Sequence, residues 1–444
     1  MNDFTVNYQV RTVTADGASV TFRAFQNIPT VERPVEPECQ VVNIFAPEEY
    51  YNGGAVNGYN AATAPVLFVV DMGGFMTARP KTPEDERFRR TSIFFYALCH
   101  GYVVVAAGCR GRMSKNSAGY TGKLPAAMVD CKAALRFIHA NACAIPGDKD
   151  RIIVTGTSAG GGVAAALGLY DNDGELEEEL EKLGAAKAAD TVLGAALYCP
   201  VTDLDHADMA YEWQFAGIYD YHRMAMNMDE GGRPQFSKED GVMDAERVRY
   251  SRELAALFAG YVNSLSLADR DGTALTLDDS GEGSFKEYVL AKLTAAARKA
   301  GETKTISFAD HMKEITRMKT APAFDDVTMK SFENNAFGDV NHDYAHFSDY
   351  SFANSTSADP YMAPEKCRRL ANPFNYIGGG MAKYWRIRHG SVDRDIGFGT
   401  SAVMNLLLEK AGAETDYAID WNERHGGEYD APQLFEWIDG ICGR

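Results

Sequence analysis

Residues 151–170 read RIIVTGTSAGGGVAAALGLY. The stretch opens on β-branched apolar residues, turns within a few small ones, and continues in alanine and glycine. An apolar run without alternation suits a strand covered on both faces, as in a parallel sheet flanked by helices. PVLFVVD at 65–71, YVVVAAG at 102–108 and VLGAALYCP at 192–200 have the same character. Between YVVVAAG and RIIVTG the spacing predicts a helix over about 124–142, with Met128, Cys131, Leu135 and Ile138 on one face. Strand, helix, strand in this order is a βαβ unit, so the fold class is α/β with a mostly parallel central sheet.

Outward from this centre, FTVNYQVRTV and ASVTFRAFQNIP near the start alternate and predict strands, followed by a Gly/Asn/Ala-rich loop at 52–64. The C-terminal end repeats the central scheme. YWRIRHG (384–390) predicts a strand, GTSAVMNLLLEKAG (399–412) a helix closed by Gly412, and TDYAIDW (415–421) a strand. A last helix is expected to start with Asp430 as its cap and Pro432 just inside. Residues 201–375 differ: EDGVMDAERVRYSRELAALFAGYV and SFKEYVLAKLTAAARKAGET predict amphipathic helices, and apolar strand runs are missing. We therefore expect a core domain of residues 1–200 and 376–444, interrupted by a mostly helical insertion at 201–375. The acidic run ELEEELEKLG (175–184) predicts an exposed helix face.

The chain of 444 residues is 45% hydrophobic and 24% charged, an ordinary globular composition, and carries a formal charge of −18. That charge argues against nucleic acid or an anionic membrane as partner, since both are polyanions. The eight cysteines include no C-x-x-C pair, and several lie in apolar runs, which suggests free buried thiols in a reducing compartment. MNDFTVNYQVRTV lacks the basic start and apolar stretch of a secretory signal, and no run of about 18 uncharged apolar residues occurs. The expected location is cytoplasmic.

GTSAG at 156–160 is a G-x-S-x-G sequence placed between a strand and a small-residue helix. A turn that sharp forces Ser158 into a strained backbone and needs nearly side-chain-free neighbours, which Gly156, Ala159, Gly160, Gly161 and Gly162 provide. The serine oxygen would stand beside a helix N-terminus, where free amides stabilise negative charge. A serine nucleophile needs a base and a pair of donors for the oxyanion of an acyl intermediate. The amide of Ala159 is one candidate donor; Gly73, with Gly74 as near equal, is the other, from DMGGF after the strand PVLFVVD. In this type of site the chain order is Ser, then Asp or Glu, then His. His425, in DWNERHGGEYD after the last strand, is the candidate base. Asp393, in the loop after YWRIRHG, is the candidate acid; Asp395 is the alternative, otherwise free for substrate contact, and His389 is expected to be a packed strand-end residue.

GTSAGG, HGSVDRD and ERHGG together resemble the bacterial tannases, the tannin acyl hydrolases. RMKTAPAFDDVTMKSFENNAFG (317–338) resembles that family's lid segment. The resemblance implies an α/β-hydrolase fold with a mostly parallel central sheet and a large, mostly helical lid insertion. It implies a serine esterase of gallic acid esters or related hydroxybenzoic acid esters, acting on a small-molecule phenolic ester without metal or organic cofactor. It further implies that Lys319, Glu333 and Asp395 hold the hydroxyls of the galloyl ring; without it, Lys319 and Glu333 read only as lid charges and a surface salt bridge. Fungal tannases and feruloyl esterases resemble the chain less, because their pattern flanks the serine and histidine with a disulfide pair. Here Thr157 precedes Ser158 and Gly426 follows His425. A feruloyl or general aryl esterase is the alternative; a serine peptidase is less favoured, because the chain lacks the repeats of a propeller.

Overall fold

The computed structural model describes residues 4–84, 92–170, 173–228 and 234–443. Its centre is a nine-stranded sheet. In chain order the strands are β1 (Gln9–Ala15), β2 (Ala18–Pro29), β3 (Val41–Pro47), β4 (Val66–Val70), β5 (Val103–Ala107), β6 (Ile152–Thr157), β7 (Gly194–Tyr198), β8 (Tyr384–Gly390) and β9 (Glu414–Asp420). Their spatial order is β1-β2-β3-β5-β4-β6-β7-β8-β9. The first three strands are joined antiparallel to one another and to β5. From β5 through β9 every pairing is parallel. The apolar runs are thus the buried parallel strands: every residue of β4, β5 and β7 is buried. The last strand, β9, lies at an edge, and its burial alternates.

The helices Ala126–Ala140, Ala159–Leu169 and Phe398–Lys410 lie where the sequence pattern placed them. Gly174–Leu183 turns Leu176, Leu180 and Leu183 inward and its acidic residues outward. Two expectations need correction. Residues 4–6 form a short 3-10 turn instead of the start of a strand, because the Phe4 ring packs 5.7 Å from Phe137 and 6.2 Å from Phe25. Asp430 precedes the last helix, Ala431–Ile441, but gives it no side-chain cap. Its carboxylate is drawn instead to the buried Arg386 guanidinium and to the Tyr198 hydroxyl, which donates at 2.7 Å.

Between β7 and β8 the chain leaves the sheet for an insertion that is mostly helical, with Leu204–Gln214, Ala245–Ser264, Ser284–Lys299, Phe308–Ile315 and Phe332–Ala336. The sequence reading missed its two-stranded hairpin, Asp220–Met228 with Pro234–Val242. Cross-strand charge pairs, Arg223 with Glu239 at 2.7 Å and His222 with Asp240 at 2.9 Å, help hold its strands. Trp213 anchors the insertion's apolar interior against Phe258, Phe285 and Phe308, and this interior is continuous with the sheet's core. Arg317 and Glu212, both fully buried, pair at 2.6 Å. No helix of the described residues is long and apolar enough to cross a membrane.

Candidate active site

The C-terminal ends of the parallel strands converge at one place. At the end of β6, Ser158 has φ 59° and ψ −126°, a region costing a non-glycine residue about 1–3 kcal/mol. The close turn depends on missing side chains. A Cβ on Gly156 would lie 2.3 Å from the Gly160 carbonyl oxygen, and one on Gly162 would lie 2.1 Å from that of Val201. The loop after β4 is tied to this elbow: Gly160 donates its amide to the Met72 carbonyl at 2.9 Å. Ala159 begins the helix, so its amide has no carbonyl within the helix to meet. Gly73 and Gly74 follow Met72, and a Cβ on either meets nothing within 4 Å among the described residues. Both therefore border open space, on the loop that Gly160 ties to the serine elbow.

His425, after β9, places Nε2 2.8 Å from the Ser158 Oγ and Nδ1 2.8 Å from the Asp393 Oδ2. Room for this loop comes from Gly390, where a Cβ would lie 2.3 Å from the Glu423 carbonyl oxygen, and from Gly427, where it would lie 2.0 Å from the Thr157 hydroxyl. Asp393, after β8, is fully buried, and its Oδ1 accepts the amides of Asp395 at 2.7 Å and Ile396 at 3.2 Å. Burial alone would raise the Asp393 pKa, but attraction to His425 outweighs it and holds the carboxyl well below the usual range. Burial alone would lower His425; the neighbouring Asp393 carboxylate outweighs that and raises it well above an ordinary histidine. Both shifts express one buried attraction. The chain of contacts can move a proton from the serine hydroxyl to the imidazole while a fixed anion stabilises the resulting cation.

Asp395 lies beside this chain, with ligand atoms of Asp393, Asp395 and His425 within 4.8 Å of one another. Burial pushes its carboxyl above the ordinary range, opposed by the positive charges of His425 and Lys319. Lys319 is brought there by a relay of main-chain contacts. Tyr211 Oη accepts the amides of Met318 and Lys319 at 3.2 Å and donates to the Arg394 carbonyl at 2.9 Å. Lys319 Nζ sits 3.6 Å from Glu333 Oε1 and 3.8 Å from the Phe324 ring centroid. Glu333 rides on Phe332–Ala336, whose Ser331 and Asn334 form a capping box. Asn334 is in turn held by the buried Asp325, which pairs with His346 at 2.7 Å. The salt bridge expected of two lid charges therefore exists, but it is mostly buried and faces Asp395.

Two neighbours escaped the sequence reading, and a third was read only as packing. Arg112 donates from Nε to the Gly74 carbonyl at 2.9 Å and from Nη1 to Asn335 Oδ1 at 2.7 Å, joining the glycine loop to the insertion. Its RGR context gave no positional signal. Cys199 follows β7 and donates its thiol to the Gly426 carbonyl at 3.6 Å. His389 is packed at the strand end as expected, but it also faces Asp393 at 3.4 Å. Cys199, His389 and Asp393 have ligand atoms within 4.8 Å of one another, as a metal site would require. The oxygens of Asp393 are already engaged by His425 and two backbone amides.

A family model described as BD-FAE matches residues 56–227. Esterase LipQ of Mycobacterium tuberculosis is 34% identical over 108 residues, 24% of this chain; the match spans about a quarter of that relative's length. A solved tannase from Lactobacillus plantarum is 37% identical, with 98% of each chain covered and a TM-score of 0.93. A Fusobacterium nucleatum tannase is 35% identical, with 100% of this chain and 98% of that chain covered and a TM-score of 0.93. A tannin acyl hydrolase solved in complex with ethyl gallate is 37% identical, with 98% and 97% covered and a TM-score of 0.92. Likeness at this identity over nearly the whole length, on a shared sheet with the serine elbow in place, means that the chain belongs to the tannase family of α/β-hydrolases and is a carboxylic ester hydrolase.

Proposed function

We propose that the protein hydrolyses esters of gallic acid and related hydroxybenzoic acids through an acyl-enzyme on Ser158. The observation that carries this is the unbroken contact Ser158–His425–Asp393 at 2.8 Å per step, with Asp395, Lys319 and Glu333 beside it. His425 takes the Ser158 proton as the oxygen attacks the ester carbonyl. The tetrahedral oxyanion rests on the amides of Ala159 and Gly73, with Gly74 adjoining. His425 then gives its proton to the departing alcohol. Water, deprotonated by the same imidazole, attacks the acyl-serine and releases the acid. Asp393 keeps the imidazole oriented and balances its charge.

Lys319, Glu333 and Asp395 are proposed to bind the phenolic hydroxyls: carboxylates accept from phenols, and an ammonium donates to a phenolic oxygen. Solved relatives in complex with ethyl gallate and with 3,4-dihydroxybenzoate support a small phenolic ligand. Residues 201–375 act in this reading as a lid on the core of 1–200 and 376–444, because they supply Lys319 and Glu333 to a site otherwise built at the strand ends. A reducing, cytoplasmic setting is supported by eight unpaired cysteines, six of them buried. Ser158→Ala tests the core of the proposal. Methyl gallate turnover should fall to background while the melting temperature and gallate binding persist; retained turnover removes it. A feruloyl or general aryl esterase is the rival reading. Preference for methyl ferulate over methyl gallate would favour it and reject the roles of Lys319, Glu333 and Asp395.

A further inference from the structure

His389 is fully buried in β8, yet its Nε2 has no hydrogen-bond partner among the described residues. A buried N–H without an acceptor is costly, and such a group calls for an explanation. The nearest oppositely charged atom is the Asp393 Oδ2 at 3.4 Å. This is the oxygen that His425 Nδ1 meets at 2.8 Å, so two imidazoles converge on one carboxylate oxygen. The other ring nitrogen, Nδ1, is 3.0 Å from the Ser401 hydroxyl, itself fully buried on Phe398–Lys410.

We propose that His389 is a positioning residue for Asp393, held by Ser401 in the tautomer that aims Nε2–H at the Asp393 Oδ2. The proposal rests on Asp393 being the acid of the triad. The choice of tautomer follows from electrostatics. Burial keeps the His389 ring neutral, so it carries a single N–H. Were that proton on Nδ1, the Ser401 oxygen would accept it, but the Nε2 lone pair would face a buried anion, which is repulsive. With Ser401 donating to Nδ1, the proton moves to Nε2 and faces the carboxylate as a donor. Oδ1 is already fixed by the amides of Asp395 and Ile396. His389 supplies the complement on Oδ2, sharing the anion with His425 and opposing rotation of the carboxylate. The other groups around the ring are the Cys199 thiol, the His425 imidazole, the backbone of Ile396, which favours the protonated ring, and the Phe398 ring, edge-on at 5.1 Å. None of these supplies another anion to compete for the Nε2 proton.

The sign of the effect follows. An Asp393 relieved of its second donor attracts the His425 proton more strongly. The acid limb of kcat/KM, which requires neutral His425, then moves to higher pH. His389→Met removes the donor at similar volume; His389→Gln places a carboxamide nitrogen near the Nε2 position. With methyl gallate, His389→Met should lower kcat by about threefold or more, the scale of a 3.4 Å contact that is longer than a full hydrogen bond. It should also move the acid limb upward, and His389→Gln should recover most of both. Equal loss in the two variants, or reduced activity with an unmoved limb, overturns the proposal and leaves His389 a packing residue. Nitrogen-15 NMR of histidine-labelled wild-type protein reads the tautomer without any variant: protonated Nε2 is expected, and protonated Nδ1 on His389 overturns it. Asp393→Asn is assayed alongside. If it stays active, the triad reading fails; if it is inactive while His389→Met matches wild type, only the role of His389 fails.

Discussion

Replacing Asp393 by asparagine changes one atom, and the surroundings dictate where that atom goes. Oδ1 of Asp393 accepts two backbone amides, at 2.7 and 3.2 Å, and Oδ2 accepts from His425 Nδ1. The asparagine oxygen must serve one side and its NH2 the other. Turning the NH2 toward the amides leaves two buried N–H donors unsatisfied, at about 1–3 kcal/mol each, or roughly 2–6 kcal/mol together. The asparagine oxygen therefore stays on the amides and the NH2 faces His425. The imidazole must then present its Nδ1 lone pair to that NH2 and carry its proton on Nε2. An Nε2–H pointing at Ser158 cannot accept the serine proton. At 1.36 kcal/mol per decade, the orientation preference corresponds to a loss in kcat of roughly 30-fold to 10^4-fold. The assay is hydrolysis of methyl gallate at saturating substrate, with a thermal melt to verify folding. A folded variant with kcat within threefold of wild type would refute the reasoning, because it would mean that the tautomer of His425 does not depend on residue 393.

Four further outcomes follow from the structure. Because Asp393 raises His425 above an ordinary histidine, kcat/KM should increase with pH through a midpoint above about 6.5, and Asp393→Asn should lower that midpoint in its residual activity. The same raised pKa stabilises the fold below about 6.5, and this stabilisation is lost as pH rises through the folded value. The depressed Asp393 contributes above about 3.9, lost as pH falls through its folded value, so melting curves should show both flanks. Glu333→Gln and Lys319→Met should raise KM for methyl gallate, by about tenfold or more, and barely change it for methyl benzoate, which has no ring hydroxyls; equal effects on both esters would argue against hydroxyl recognition. Glu212→Gln strands the fully buried Arg317 charge and should cost about 3–5 kcal/mol in denaturant unfolding; a change under about 1 kcal/mol would mean that Arg317 finds another partner.

The parallel part of the sheet was legible because burial on both faces demands continuous apolar runs, and β4 to β7 obey that rule. Ser158 was legible because the tight turn tolerates only small neighbours. Asp393 and His425 were found from their places after the last strands, and the structure brings both to the serine. What sequence reasoning missed lies where tertiary charge overrides local pattern. Asp430 had the profile of a cap, but the buried Arg386 claimed its carboxylate. The hairpin of Asp220–Met228 with Pro234–Val242 is stabilised partly by charges across the strands, and its one short period, Met224, Met226 and Met228, is too brief to announce it. Lys319 and Glu333 lie 3.6 Å apart through folding of the insertion, and only the family resemblance had marked them. The approach of His389 to Asp393 depends on the turn after β8, a detail of backbone geometry that residue spacing does not encode.

The acyl-enzyme can be observed directly. Wild-type protein mixed with an excess of a gallate ester, quenched in acid during turnover and digested, should show the galloyl mass on the peptide containing Ser158, and the mass should disappear once substrate is exhausted. A galloyl group carried by another residue, or steady turnover with no acylated peptide and no pre-steady-state release of alcohol, would contradict a mechanism in which Ser158 holds the acyl group.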